Sequence, residues 1–279
     1  MALCSASLGR RLDRLIPIML LAGSMGACTS LDGLTREEEA HGTFPDAPSR
    51  ARDGGSTVLE AGPVVAADPT FCSEQGKDST FCSDFTGIDP FAGWTAKVEV
   101  QATLRENLGG LLVATNAVPA GVVARGYVRK DLEKPLADEV GIAFDVTLDQ
   151  IGATPANGGT LAVVQLGAPP NEYELQLNVY ADGNARITER APVPGSTNKT
   201  YRDHPLGSFT SKTSKRFTLR LRAEAAFDVL VDGVAVLEDV KTAIEPPRTK
   251  PLLFLGVTYV DPPSAPWTVR YDDVVVTVR

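Results

Sequence analysis

Glu172 and Glu174, one residue apart, are the nearest this chain comes to a pair of acids on one strand face. Alternate strand residues share a face, and glycoside hydrolysis needs two carboxylates held close together. No third acid follows in step, so the pair reads as solvated charge at the mouth of a strand. The only two histidines are His41 and His204. Neither has a nucleophile motif around it, and His204, in a stretch 201–205 read as loop, is taken as a surface residue. Gly109-Gly110 and Gly158-Gly159 lack the strand–loop–helix context of a phosphate cradle and read as turns. Arg216, Arg220 and Arg222 share one strand face with Thr218 and would meet an acidic polysaccharide if that face lined a concave surface; solvated charge is the plainer reading. Trp94 and Trp267 follow Gly93 and Pro266 and lead into strands, placed either to stack on sugar rings or to pack. No residue is assignable as catalytic.

The elements that must carry these residues are strands. Val140, Ile142, Phe144, Val146 and Leu148 alternate with Gly141, Ala143, Asp145 and Thr147, the two-residue period of a half-buried strand. Tyr173, Leu175, Leu177 and Val179 repeat the pattern, as do Phe217, Leu219 and Leu221. Asp232-Gly233 between two apolar runs marks a hairpin, since a type I′ turn needs positive φ at both central residues. Further strands are expected at 97–104, 111–115, 122–128, 160–166, 252–260 and 267–278, separated by Pro- and Gly-rich loops. No long amphipathic helix interrupts them. The expectation is an all-β sandwich over residues 70–279, a length within the range of one domain.

Ahead of it, Arg10, Arg11 and Arg14 precede an apolar run from Leu15, shorter than the roughly 20 residues that span a bilayer. This is the order of a secretory signal. Met25-Gly26-Ala27-Cys28 resembles a bacterial lipobox. The resemblance implies cleavage after residue 27, a diacylglyceryl group on Cys28 and, because Thr29 replaces the aspartate that retains such proteins at the inner membrane, an outer-membrane or cell-surface address with lipid as the membrane contact. Ordinary signal cleavage with an unmodified Cys28 is the alternative. Residues 28–69 are polar and without period, and read as a disordered tether. Of four cysteines, Cys4 leaves with the signal and Cys28 is lipidated; Cys72 and Cys82 remain as an isolated pair. In an exported protein that reads as a disulfide, a zinc site needing four ligands.

A formal net charge of −8 argues against nucleic acid, whose phosphates attract dense Lys/Arg patches.

The run Phe81 to Phe85 with Gly93-Trp94 after it, the Val231-Asp232-Gly233 turn, and a closing Trp267 followed by Tyr271-Asp272-Asp273-Val274 resemble concanavalin A-like lectin/glucanase domains. The likeness is to the laminin-G-like domains of bacterial lipoproteins and covers residues 80–279. It implies a two-sheet antiparallel jelly roll whose first and last strands are neighbours. It also implies a structural calcium held by Asp84 with Asp272 or Asp273, of which only one should reach the ion because adjacent strand residues point to opposite faces. The function expected is non-catalytic binding of a glycan or another envelope component. A carbohydrate-active enzyme of the same fold, lacking the Glu-x-Asp-x-x-Glu strand of the glucanases, and a structural or adhesive surface protein are the alternatives.

Overall fold

The computed structural model describes residues 71–75, 79–154 and 157–279. The expectations for the signal, lipidated Cys28 and the tether fall outside the described residues. A one-turn helix, α1 (Phe71–Glu74), precedes β1 (Phe81–Ser83), and the disulfide expected between Cys72 and Cys82 joins the two. The strands that follow are β2 (Ala96–Val100), β3 (Ala102–Asn107), β4 (Gly110–Thr115), β5 (Arg125–Asp131), β6 (Glu139–Gln150), β7 (Gly159–Leu166), β8 (Tyr173–Val179) and β9 (Asn184–Pro192). After them come β10 (Lys199–Ser208), β11 (Ser214–Arg222), β12 (Ala226–Val231), β13 (Val234–Lys241), β14 (Leu252–Val260) and β15 (Thr268–Val278).

They form two antiparallel sheets, the expected jelly-roll sandwich. The first runs β13-β12-β11-β6-β15-β4-β3, with β1 on β15; the second runs β10-β9-β8-β7-β14-β5-β2. Phe81 lies opposite Val276, so the chain enters the domain beside its own last strand. The alternation in β6 works as the spacing requires: the apolar series from Val140 to Leu148 is buried while Gly141, Ala143, Asp145 and Thr147 stay half-buried on the other face. Phe144, Phe217 and Tyr271 pack ring to ring beneath it, with centroids 5.1 and 5.8 Å from Phe144. The Tyr271 hydroxyl crosses the interior and donates to the carbonyls of Leu161 (2.9 Å) and Gly256 (3.1 Å) in the opposite sheet. Burial pushes this phenol well above its ordinary pKa, so it acts as a donor throughout the usual pH range. At the β12–β13 hairpin Asp232 and Gly233 have φ of 53° and 77°, the left-handed pair that the Asp-Gly signal predicts.

The stretch 97–104 is two strands, not one. Gln101, at φ 51°, breaks it, sending β2 into the second sheet and β3 into the first. β5 begins three residues later than expected, because Val122 and Val123 lie exposed in the preceding loop. β9 and β10 were not foreseen. β9 lays a glutamate and an arginine among its buried positions, and β10 is mostly exposed and carries Pro205 and Gly207.

Candidate functional site

β7 and β8 are buried along their whole length, on both faces. The inward set of β8 is Leu175, Leu177 and Val179, in the core; the outward set is Glu174, Gln176 and Asn178. Residues directly opposed across strands share a face, so the register defines the rest of that outward surface. Gln165 stands opposite Glu174 and Val163 opposite Gln176; Arg190, Thr188 and Arg186 oppose Glu174, Gln176 and Asn178. Beyond them Tyr201 and Asp203 of β10 face Arg190 and Thr188. In the other direction Phe254 of β14 faces Val163 and Arg129 of β5. Tyr127 meets Phe254 edge to face, with centroids 5.6 Å apart. The outer face of the second sheet is therefore polar over β7 to β10 and aromatic over β14 and β5.

Two hydrogen-bond chains order the polar half. In one, Lys199 Nζ contacts Glu172 at 3.0 Å, and Arg190 Nη1 contacts Glu172 at 3.4 Å and Glu174 at 3.2 Å. Gln176 donates to Glu174 at 2.6 Å. Burial pushes the Glu174 carboxyl up, against the pull of Arg190 and the Gln176 bond. The Nε of Arg190, itself buried, is left without an acceptor. In the other chain, Thr160 donates to Asn178 (2.6 Å), Asn178 to Thr188 (2.7 Å) and Thr188 to Asp203 (2.7 Å), which also takes Arg186 at 3.2 Å. The Arg186 guanidinium lies over the Tyr180 ring, 4.7 Å from its centroid.

This second chain ends at an open cavity of about 210 Å³ in the β8–β9 turn, lined by Tyr180, Ala181, Asp182, Asn184 and Arg186. The buried residues fix the groups that line it. Asp182 accepts from the backbone N–H of Asn184 (3.0 Å) and from its side-chain amide.

The expected acids Glu172 and Glu174 thus belong to this face, but as buried, ion-paired groups; the solvated-edge reading is corrected by Arg190 and Lys199, which strand β9 and its neighbour bring over them. His204 lies on β10, not in a loop, with its ring edge-on to Phe227 at 5.2 Å.

The other expected ligand groups do not join. Trp267 is 0% exposed in the core, its ring closed by Gly159 and its indole N–H given to Ser264 Oγ at 3.0 Å, so no face is open to a sugar. Trp94 is stacked on Phe85 and edge-on to Phe81. Arg216, Arg220 and Arg222 lie on the outer face of the first sheet, on the other side of the molecule. Arg216 pairs with Asp145 and Arg222 with Asp228 and Asp239; Arg220 stands exposed beside Gly141 and Thr277 in a separate shallow groove.

The calcium donors do not assemble either. Among the described residues no three acidic, histidine or cysteine side chains gather so as to hold a metal ion. Asp273 sits at φ 51° in a bulge of β15, and its carbonyl accepts from Arg216 Nη1 at 2.7 Å. Asp84 is turned onto Thr86. Arg216 supplies a positive charge at this spot, paired with the Asp145 carboxylate.

No protein-family model matches the chain, and no characterised protein matches it in sequence. Among solved structures it is similar to an endo-β-1,4-glucuronan lyase from the fungus Trichoderma reesei, with 13% identity and a TM-score of 0.57 over 72% of this chain and 96% of that one. It is also similar to a structure described with endo-acting O-glycanases by which prominent members of the human gut microbiota initiate mucin breakdown (13%, 0.55, 72% and 99%). A third is the cellulose induced protein Cip1 (11%, 0.50, 71% and 97%). At these identities the likeness is one of fold, and the fold these chains share with this one is the jelly-roll sandwich.

Proposed function

We propose that this protein is a glycan-binding module that recognises a sugar chain without cleaving it, held at the cell envelope by a lipid on Cys28. The observation that carries the reading is the outer face of the second sheet. Planar hydrogen-bonding side chains, buried and fixed by one another, lead to an open cavity walled by Tyr180, Asp182, Asn184 and Arg186, which is the chemistry that sugars require: hydroxyls meet polar edges while a C–H face meets a ring. The resemblance in fold to proteins acting on polysaccharides supports it. Against hydrolysis, Glu172 and Glu174 are buried behind Arg190 and Lys199, so this pair is not open to a glycosidic bond. Fold alone does not assign function.

The test is binding of the full chain to a panel of immobilised polysaccharides, repeated with Tyr180→Ala and Arg220→Ala. Retention of at least one glycan, lost with Tyr180→Ala and kept with Arg220→Ala on the other sheet, is expected. Retention that depends on Arg220 but not Tyr180 would move the site to the first sheet.

A further inference from the structure

We propose that the ligand of this cavity is an uncharged sugar chain whose hydroxyls donate to carboxylates, and that polyuronates and sulfated chains are rejected. The inference rests on the glycan-binding reading above and adds the chemical class. It comes from the balance of fixed charge. Asp182 on the cavity wall makes its bonds to Asn184 and, among the described residues, has no cationic partner. Asp203 stands at the cavity margin, and Asp261 is near enough that, together with Asp203, it adds to burial in pushing the Tyr180 hydroxyl up, against Arg186. Among the described lining residues Arg186 is the one cation. It is already paired with Asp203 and laid on the Tyr180 ring.

Deeper on the same face, Glu174 and Glu172 are matched by Arg190 and Lys199. Arg190, though its Nε lacks an acceptor, is buried and already paired with two carboxylates, so among the described residues there it is not open to the bidentate grip by which proteins hold carboxylates and sulfates. Arg125 has no acid partner among the described residues, but it lies on β5, three strands from β8, about 14 Å at ordinary strand spacing. A sugar carboxylate entering the cavity would meet uncompensated negative charge. A sugar hydroxyl would instead give Asp182 a charge-assisted bond, roughly twice as strong as a neutral one.

The experiment titrates the full chain with hexamers of neutral hexoses and with hexameric uronates, at about 0.01 M and about 0.15 M salt, between which the Debye length shrinks from about 30 to about 8 Å. A neutral hexamer should bind with affinity changing less than about twofold across the two salts, and uronates should not bind at either. Asp182→Asn should weaken the neutral ligand about tenfold with an unchanged melting temperature. Binding of uronates in preference to neutral hexamers would overturn the charge-class inference and leave the glycan-binding reading standing. Binding of neither would overturn both.

Discussion

Asp272 shows how a single carboxylate on the first sheet contributes to the pH response. It lies opposite Asp145, and burial, with the nearby charges of Asp273, Asp145 and Asp84, raises its pKa from 3.8 to about 6 despite the bond from the Asp273 N–H. From about pH 4 to about 6 the folded chain keeps a proton that the unfolded chain has released, so stability falls as pH rises through that window and stays lowered above it. Asp272→Asn keeps the acceptor for the Asp273 N–H (2.8 Å) and removes the charge. We expect it to be more stable than the parent at pH 7 by about 1 kcal/mol, the half-exposed group being screened. The gain should vanish at pH 4, read from urea midpoints at the two pH values. Glu189 is a carboxylate 1% exposed on the inner face of β9. It accepts the Tyr173 hydroxyl at 3.0 Å and the Ala243 N–H at 2.6 Å. Glu189→Ala strands both donors and should cost about 2–3 kcal/mol; Glu189→Gln, which retains an acceptor, should cost measurably less in the same denaturation experiment.

At the scale of elements, what was legible in the sequence was whatever burial on one face made periodic. β6, β8, β11 and β14 have a two-residue apolar repeat or an unbroken apolar run, and their positions follow from it; β8 and β14 are found at the expected bounds. The site was not legible for the complementary reason. β9 supplies Thr188 and Arg190, and β10 supplies Asp203, but Glu189 occupies an inward position where an apolar residue would have completed the pattern, and β10 is an exposed edge strand. Polar residues that satisfy one another across strands leave no period, because their partners are set by register and not by spacing. The one available signal was the row Glu172, Glu174, Gln176, Asn178 in alternate positions of a strand whose other face is apolar: four hydrogen-bonding side chains that need partners. Likewise Gln101 carries no turn signal, so the passage of the chain from β2 in one sheet to β3 in the other was read as a single strand.

At the scale of the molecule, the two sheets divide the labour. The chain enters along the first sheet: β1 pairs with β15, the disulfide ties α1 to β1, and Phe71 lies under the guanidinium of Arg216 on that sheet's outer face. The candidate site is on the outer face of the second sheet, with the core between them. Phe71, where the described chain begins, is therefore on the side of the sandwich away from the candidate site. Whether Cys28 anchors the chain is something the full chain can report directly. Expressed in a bacterium that processes lipoproteins, it should partition with detergent and incorporate labelled fatty acid. Cys28→Ser should move it to the aqueous fraction without changing its melting temperature, since several acyl chains, at about 0.8 kcal/mol per buried CH₂, account for the membrane hold. A Cys28→Ser protein still retained by membranes would mean that the domain itself, and not lipid, makes the contact.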